Sequence, residues 1–158
     1  MKTLLCCLFL SCVAAAPFCQ GQATPPPPAA RQIEPLLHEQ MLAANAHDTD
    51  RFMATYSHDP GLTFLINGQI YRGWESLHEQ QLKWWQNGKA QSVYTELMAP
   101  EITSIGPKTL LVTQQLSSHR LLPDGSPSDG HFALTTIWQL EPAGWRVTYG
   151  HESWAMKP

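Results

Sequence analysis

The sequence predicts one α+β domain in which an antiparallel sheet curls over three helices. Two observations carry this. Apolar residues recur at helical spacing in the first half of the chain, from Gln32 to Trp85, whereas the second half, from Ser92 to Trp154, alternates like strands and is broken only by short Gly- and Pro-containing turns. Helices followed by a strand meander bury their apolar faces against one another.

Ile33, Leu36, Leu37, Met41, Leu42 and Ala44 form the stripe of a first amphipathic helix, with Pro35 in its opening turn. Asp48 is placed to cap a short second helix carrying Phe52, Met53 and Tyr56, which His58-Asp59-Pro60-Gly61 ends. Leu62–Ile66 and Gln69–Tyr71 flank Asn67-Gly68, the pairing that tolerates positive φ in a two-residue hairpin turn. A third helix follows from Gly73 to Trp85 and stops at Asn87-Gly88.

Four strands are then expected, Ser92–Ile105, Leu110–Leu122, His131–Leu140 and Trp145–Trp154. Phe132, Leu134, Thr136, Trp138 and Leu140 make the inner face of the third. In the last, Trp145, Val147, Tyr149, His151 and Ser153 share one face and Arg146, Thr148, Gly150, Glu152 and Trp154 the other. Alternation alone leaves open which of these two is covered.

Ahead of the domain, Lys2 precedes an apolar run from Leu4 to Ala16 and then small and polar residues, the pattern of a secretory signal peptide over residues 1–23. The run is shorter than the roughly 20 residues needed to span a bilayer. Cleavage is expected in the Gly21–Ala23 region, because Pro17 disfavours the site after Ala16; processing as a lipoprotein at Cys12 is the rival, with Phe9 where a lipobox prefers Leu. Residues 24–31 contain Pro25 to Pro28 and read as an extended linker, leaving 32–158 as the domain. The four cysteines all precede the late cleavage sites, so a secreted or periplasmic mature chain would carry no disulfide.

With 10 Lys+Arg against 13 Asp+Glu, the net charge of −3 argues against a nucleic-acid partner. The seven histidines include no pair two to four residues apart, so no metal is expected, and no sequence motif calls for another cofactor. No nucleophile elbow, phosphate-binding loop or dinucleotide fingerprint is present.

Several strings resemble the nuclear transport factor 2-like superfamily, in its secreted SnoaL-like branch: Ala43 to Tyr56 with its helix-Asp-helix corner, Phe64-Leu65-Ile66-Asn67-Gly68 followed by Tyr71-Arg72-Gly73, Ile105-Gly106-Pro107, and Gly144-Trp145-Arg146-Val147 leading to His151-Glu152-Ser153. The resemblance implies a cone-shaped fold, a strongly bent and mainly antiparallel sheet wrapped around three helices, with a central pocket. It also implies that the Trp145, Val147, Tyr149, His151 and Ser153 face looks into that pocket. Relatives often carry His at the position of Tyr149 and Asp at that of Gly150, so a mechanism built on those groups does not carry over.

On this footing His151 is the candidate catalytic residue, an imidazole able to move protons near neutral pH. Tyr56, Trp74, Gln114, Trp138, Tyr149 and Ser153 are the candidate ligand contacts, Gln114 offering an amide to a carbonyl or hydroxyl. The expected function is a pocket domain for a small, partly apolar organic ligand, with acid–base chemistry of the isomerase, dehydratase or cyclase type as one outcome. The alternative is a noncatalytic homodimeric interaction or carrier module, paired through the outer sheet face bearing His131, Ala133, Thr135 and Ile137. No membrane partner is expected.

Overall fold

The computed structural model describes residues 28, 30–122 and 124–155. The leader, the four cysteines and most of the proline-rich linker lie outside the described residues. Helix α1 (Ala30–Ala46) starts two residues before the expected domain boundary, with Ala30 fully buried. Pro35 therefore falls in the second turn, where it cannot donate to the Arg31 carbonyl.

The corner between α1 and α2 (Thr49–Met53) is built as the sequence implies. Asp48 caps α2 by accepting a hydrogen bond from the Arg51 backbone N–H at 3.1 Å. The hairpin of β1 (Thr63–Ile66) and β2 (Gln69–Arg72) turns at Asn67 and Gly68, whose φ values of 51° and 76° are those of a type I′ turn. Helix α3 (Trp74–Trp84) ends in a run of positive φ at Gln86, Asn87 and Gly88.

The single long strand expected over Ser92–Ile105 is two: β3 (Val93–Glu96) and β4 (Glu101–Gly106), which pair with successive parts of β5 (Thr109–Leu121). Pro100, just before β4, lacks the donor a continuous ladder would need. β6 (Pro127–Glu141) and β7 (Gly144–Trp154) complete a seven-stranded sheet in the order β2-β1-β7-β6-β5-β3, with β4 also on β5. Every pairing is antiparallel except β1 with β7, so the sheet is mixed and unclosed.

Ile33, Leu37, Met53, Tyr56, Leu62, Leu110, Val112, Trp138 and Val147 form the core between the helices and the inner sheet face. It fills one end of the domain. Trp145 closes it, its indole N–H donating to Gln32 Oε1 at 2.9 Å.

The register of β7 decides what lines the other end. Trp138 is opposite Val147, but Ile137 is opposite Tyr149, so Thr148 is an extra residue on β7. This β-bulge reverses the strand's facing. Before it, Trp145 and Val147 point inward and are buried; after it, the inward residues are Gly150, Glu152 and Trp154, aligned with Thr136, Leu134 and Phe132 of β6.

Candidate functional site

The bulge overturns the expectation that His151 faces the pocket. His151 is opposite Thr135 and Leu65 on the outer face and is exposed, and Tyr149 and Ser153 share that face. Each of the two faces read from β7 is covered over half of its length, so strict alternation assigns its second half to the wrong side.

Beyond the core, α1, α3 and the inner sheet face border an open-mouthed cavity of about 960 Å³. One cross-strand row runs through it: Gln114 on β5, Leu134 on β6, Glu152 on β7 and Ile66 on β1. Leu116, Phe132 and Trp154 form the next row outward. From the helices come Gln40 of α1, Gln81 and Trp84 of α3, and Trp85 just after it. Apolar and aromatic walls with a few converging amides and, in the inner row, the carboxyl of Glu152 suit an organic ligand of moderate size.

Glu152 is the distinctive group. Trp154 donates its indole N–H to Glu152 Oε1 at 2.6 Å, and Phe64 and Trp154 lie on either side along the inner face. Removal from bulk water pushes the Glu152 carboxyl up to about 7, against the smaller lowering effect of the Trp154 hydrogen bond. Glu152 is half-buried and lines the cavity. Near neutral pH the group is therefore divided between acid and carboxylate, the condition for moving protons in both directions.

Small residues make room for the flanking rings. At Gly130, a β-carbon would come within 2.6 Å of the Trp154 ring, which stacks on Phe132 with centroids 4.5 Å apart. The opposite wall is pinned by hydrogen bonds: Asn45 bridges both backbone groups of Tyr94, and Trp85 Nε1 donates to the Tyr94 hydroxyl at 3.1 Å.

Among the seven residues expected at the site, Gln114 lines the cavity and is 6% exposed. Tyr56 packs in the core against Phe52 and Phe64. Burial, and secondarily the nearby charge of Glu152, raise its hydroxyl pKa, so it is held as the neutral phenol. Trp138 is fully buried and donates to Thr136 Oγ1 at 3.0 Å, below the cavity floor. Trp74 is stacked between His58 and His78 at centroid distances of 4.5 and 4.6 Å, its indole N–H given to the Met53 carbonyl. It shares the inward face of α3 with Leu77 and Gln81 but lies at the start of the helix, against the core, whereas the part of α3 that lines the cavity begins at Gln81.

The sequence pattern gives Glu152 and Trp154 no site role. One signal was available: in β7, Trp145 and Val147 are in one phase of the alternation and Trp154 is in the other, which a buried strand accommodates by inserting a residue. Among the described residues no group of three His, Cys, Asp or Glu side chains is arranged to hold a metal ion. Nor is any described helix long and apolar enough to cross a membrane.

The profile of the SnoaL-like domain matches residues 33–157. Among solved structures, a nuclear transport factor 2-like superfamily protein from Salmonella enterica serovar Typhimurium superposes with a TM-score of 0.70 at 16% identity, covering 82% of this chain and 92% of that one. A ketosteroid isomerase-like protein from Erwinia carotovora has a TM-score of 0.65 at 16% identity, with 80% and 96% covered. The association domain of CaMKII from C. elegans has a TM-score of 0.63 at 18% identity, with 78% and 94% covered. At these identities the likeness is one of fold. No curated protein sequence matches the chain significantly. With its helix corner, mixed sheet and a family match over nearly the whole described region, the chain belongs to the SnoaL-like domain family and has the fold of nuclear transport factor 2-like proteins.

Proposed function

We propose that this is a secreted or periplasmic pocket domain that binds a small, partly apolar organic molecule and carries out acid–base chemistry on it through Glu152. The observation that carries this reading is a carboxyl with its pKa near neutrality on the wall of a cavity of about 960 Å³. A carboxylate there can take a proton from a carbon next to a carbonyl and return it to the same molecule, the common element of isomerisation, dehydration and cyclisation. Gln114, in the same cross-strand row, supplies an amide N–H to hold the carbonyl oxygen. The likeness to a ketosteroid isomerase-like protein is consistent with this chemistry. Export is supported by the Lys2 and Leu4–Ala16 pattern.

The second reading is a noncatalytic homodimer paired through the outer sheet face. It is favoured by the half-buried Leu65, Leu111, Ile137 and Tyr149 on that face and by the fold likeness to an association domain. Native mass spectrometry of the purified mature protein addresses both readings. The pocket reading predicts a retained small-molecule adduct that is diminished in Leu134→Trp, whose larger ring intrudes on the row between Gln114 and Glu152. A dimer without any adduct, and unchanged by that variant, would favour the second.

A further inference from the structure

The cavity is electrically polarised along its length. Inner-face residues of β5 run Leu110, Val112, Gln114, Leu116, Ser118 and Arg120, from apolar floor to cationic mouth. Its charged lining residues are four: Glu152 in the inner row, Arg120 and Asp129 at the far ends of β5 and β6, and Lys89 on the segment leading into β3, whose Val93 pairs with His119 beside Arg120. Asp129 is bound to His119 Nδ1 at 2.5 Å. The ion pairs among the described residues join Arg51 to Glu39, His78 to Asp50 and His119 to Asp129, and so use neither Lys89 nor Arg120. Two cations thus remain uncommitted at the entrance, with exposed Leu121 and Leu122 following Arg120. Between the two ends lies the stacked pair of Phe132 and Trp154, with Trp85 contributed by the helical wall.

We propose that the ligand is an amphipathic organic anion, held with its acid group against Lys89 and Arg120 at the mouth and its apolar body along the Phe132–Trp154 platform. This rests on the pocket reading above and adds the ligand's class and direction of entry. The carboxyl of Glu152 at the inner end repels a second anion, so the acid group stays outside and a neutral polar or apolar end goes in. Gln114 and Arg120 are six positions apart on an extended strand, about 20 Å between Cα atoms. Less the reach of the arginine, that span suits a medium-length alkanoate or an aryl-alkanoate better than a compact acid.

The test uses the mature chain at pH 7.5 with Nile red, a neutral dye that reports the cavity itself, displaced by decanoate or by 1-decanol. Decanoate is expected to displace the dye at about one tenth of the decanol concentration, the difference two partly exposed ion pairs can supply. The Lys89→Gln/Arg120→Gln double variant should lose that preference, each displacement being read against the variant's own dye affinity. High salt should shrink it in the wild type. Equal displacement by the two probes, or a preference that survives the double variant, would overturn the anionic ligand class and leave the pocket reading standing. If the dye does not bind the wild type, or binds Leu134→Trp equally well, the pocket reading itself fails and this inference with it.

Discussion

Gly150 and Phe64 are register partners on β7 and β1, and the Phe64 ring occupies the space in which any larger residue at 150 would place its β-carbon. That atom would come within 2.5 Å of Phe64 Cε2. The absence of a side chain at Gly150 lets the ring close the inner face beside Glu152. Gly150→Ala should therefore destabilise the fold by about 1 to 3 kcal/mol, and Phe64→Leu should recover part of the loss, a coupling visible in a double-mutant cycle by chemical denaturation.

Glu152 makes stability depend on pH in a definite direction. In the unfolded chain its carboxyl ionises near the ordinary 4.5, in the folded chain near 7. Between these values the folded state holds the extra proton, so stability is fully present below pH 4.5 and falls as pH rises through 7. Glu152→Gln keeps an acceptor for Trp154 and removes the ionisation. Relative to wild type it should gain about 3 kcal/mol at pH 8 and nothing at pH 4, measured by urea unfolding at both values.

Trp154 tunes that carboxyl. Its indole N–H stabilises the carboxylate, so Trp154→Phe should move the Glu152 midpoint upward while retaining a ring over Gly130. A carbon-detected carboxyl titration of the variant checks the direction.

His151 provides the contrasting case. Because the bulge at Thr148 turns it to the outer face, His151→Gln should leave both thermal stability and cavity binding within error of wild type. Nile red affinity and a melting curve suffice; a loss of dye binding with the fold intact would place His151 back in the pocket.

The contrast between these residues also shows what a single sequence discloses. The Asp48 cap, the Asn67-Gly68 turn and the inner face from Phe132 to Trp138 depend on local chemistry and alternation, and all three are found as expected. Leu140, at the end of that face, is 40% exposed. The candidate site depended instead on the parity of one strand. Parity survives any number of ordinary residues but not one insertion, and Thr148 is a residue that fits a strand whether or not it is paired. Tyr56 and Trp138 were legible as buried but not as core rather than cavity, because that difference lies in how far along the cone each row falls.

In the function proposed above, Glu152 rather than His151 is the proton-moving group facing the cavity. The most direct measurement is the pH titration of the Glu152 side-chain carboxyl by carbon-13 NMR, assigned by the resonance missing from Glu152→Gln. A midpoint near 7, shifting when a cavity ligand binds, is the predicted result. A midpoint near the ordinary 4.5, insensitive to ligand, would mean that the carboxyl is solvated and that the cavity's chemistry has been assigned to the wrong residue.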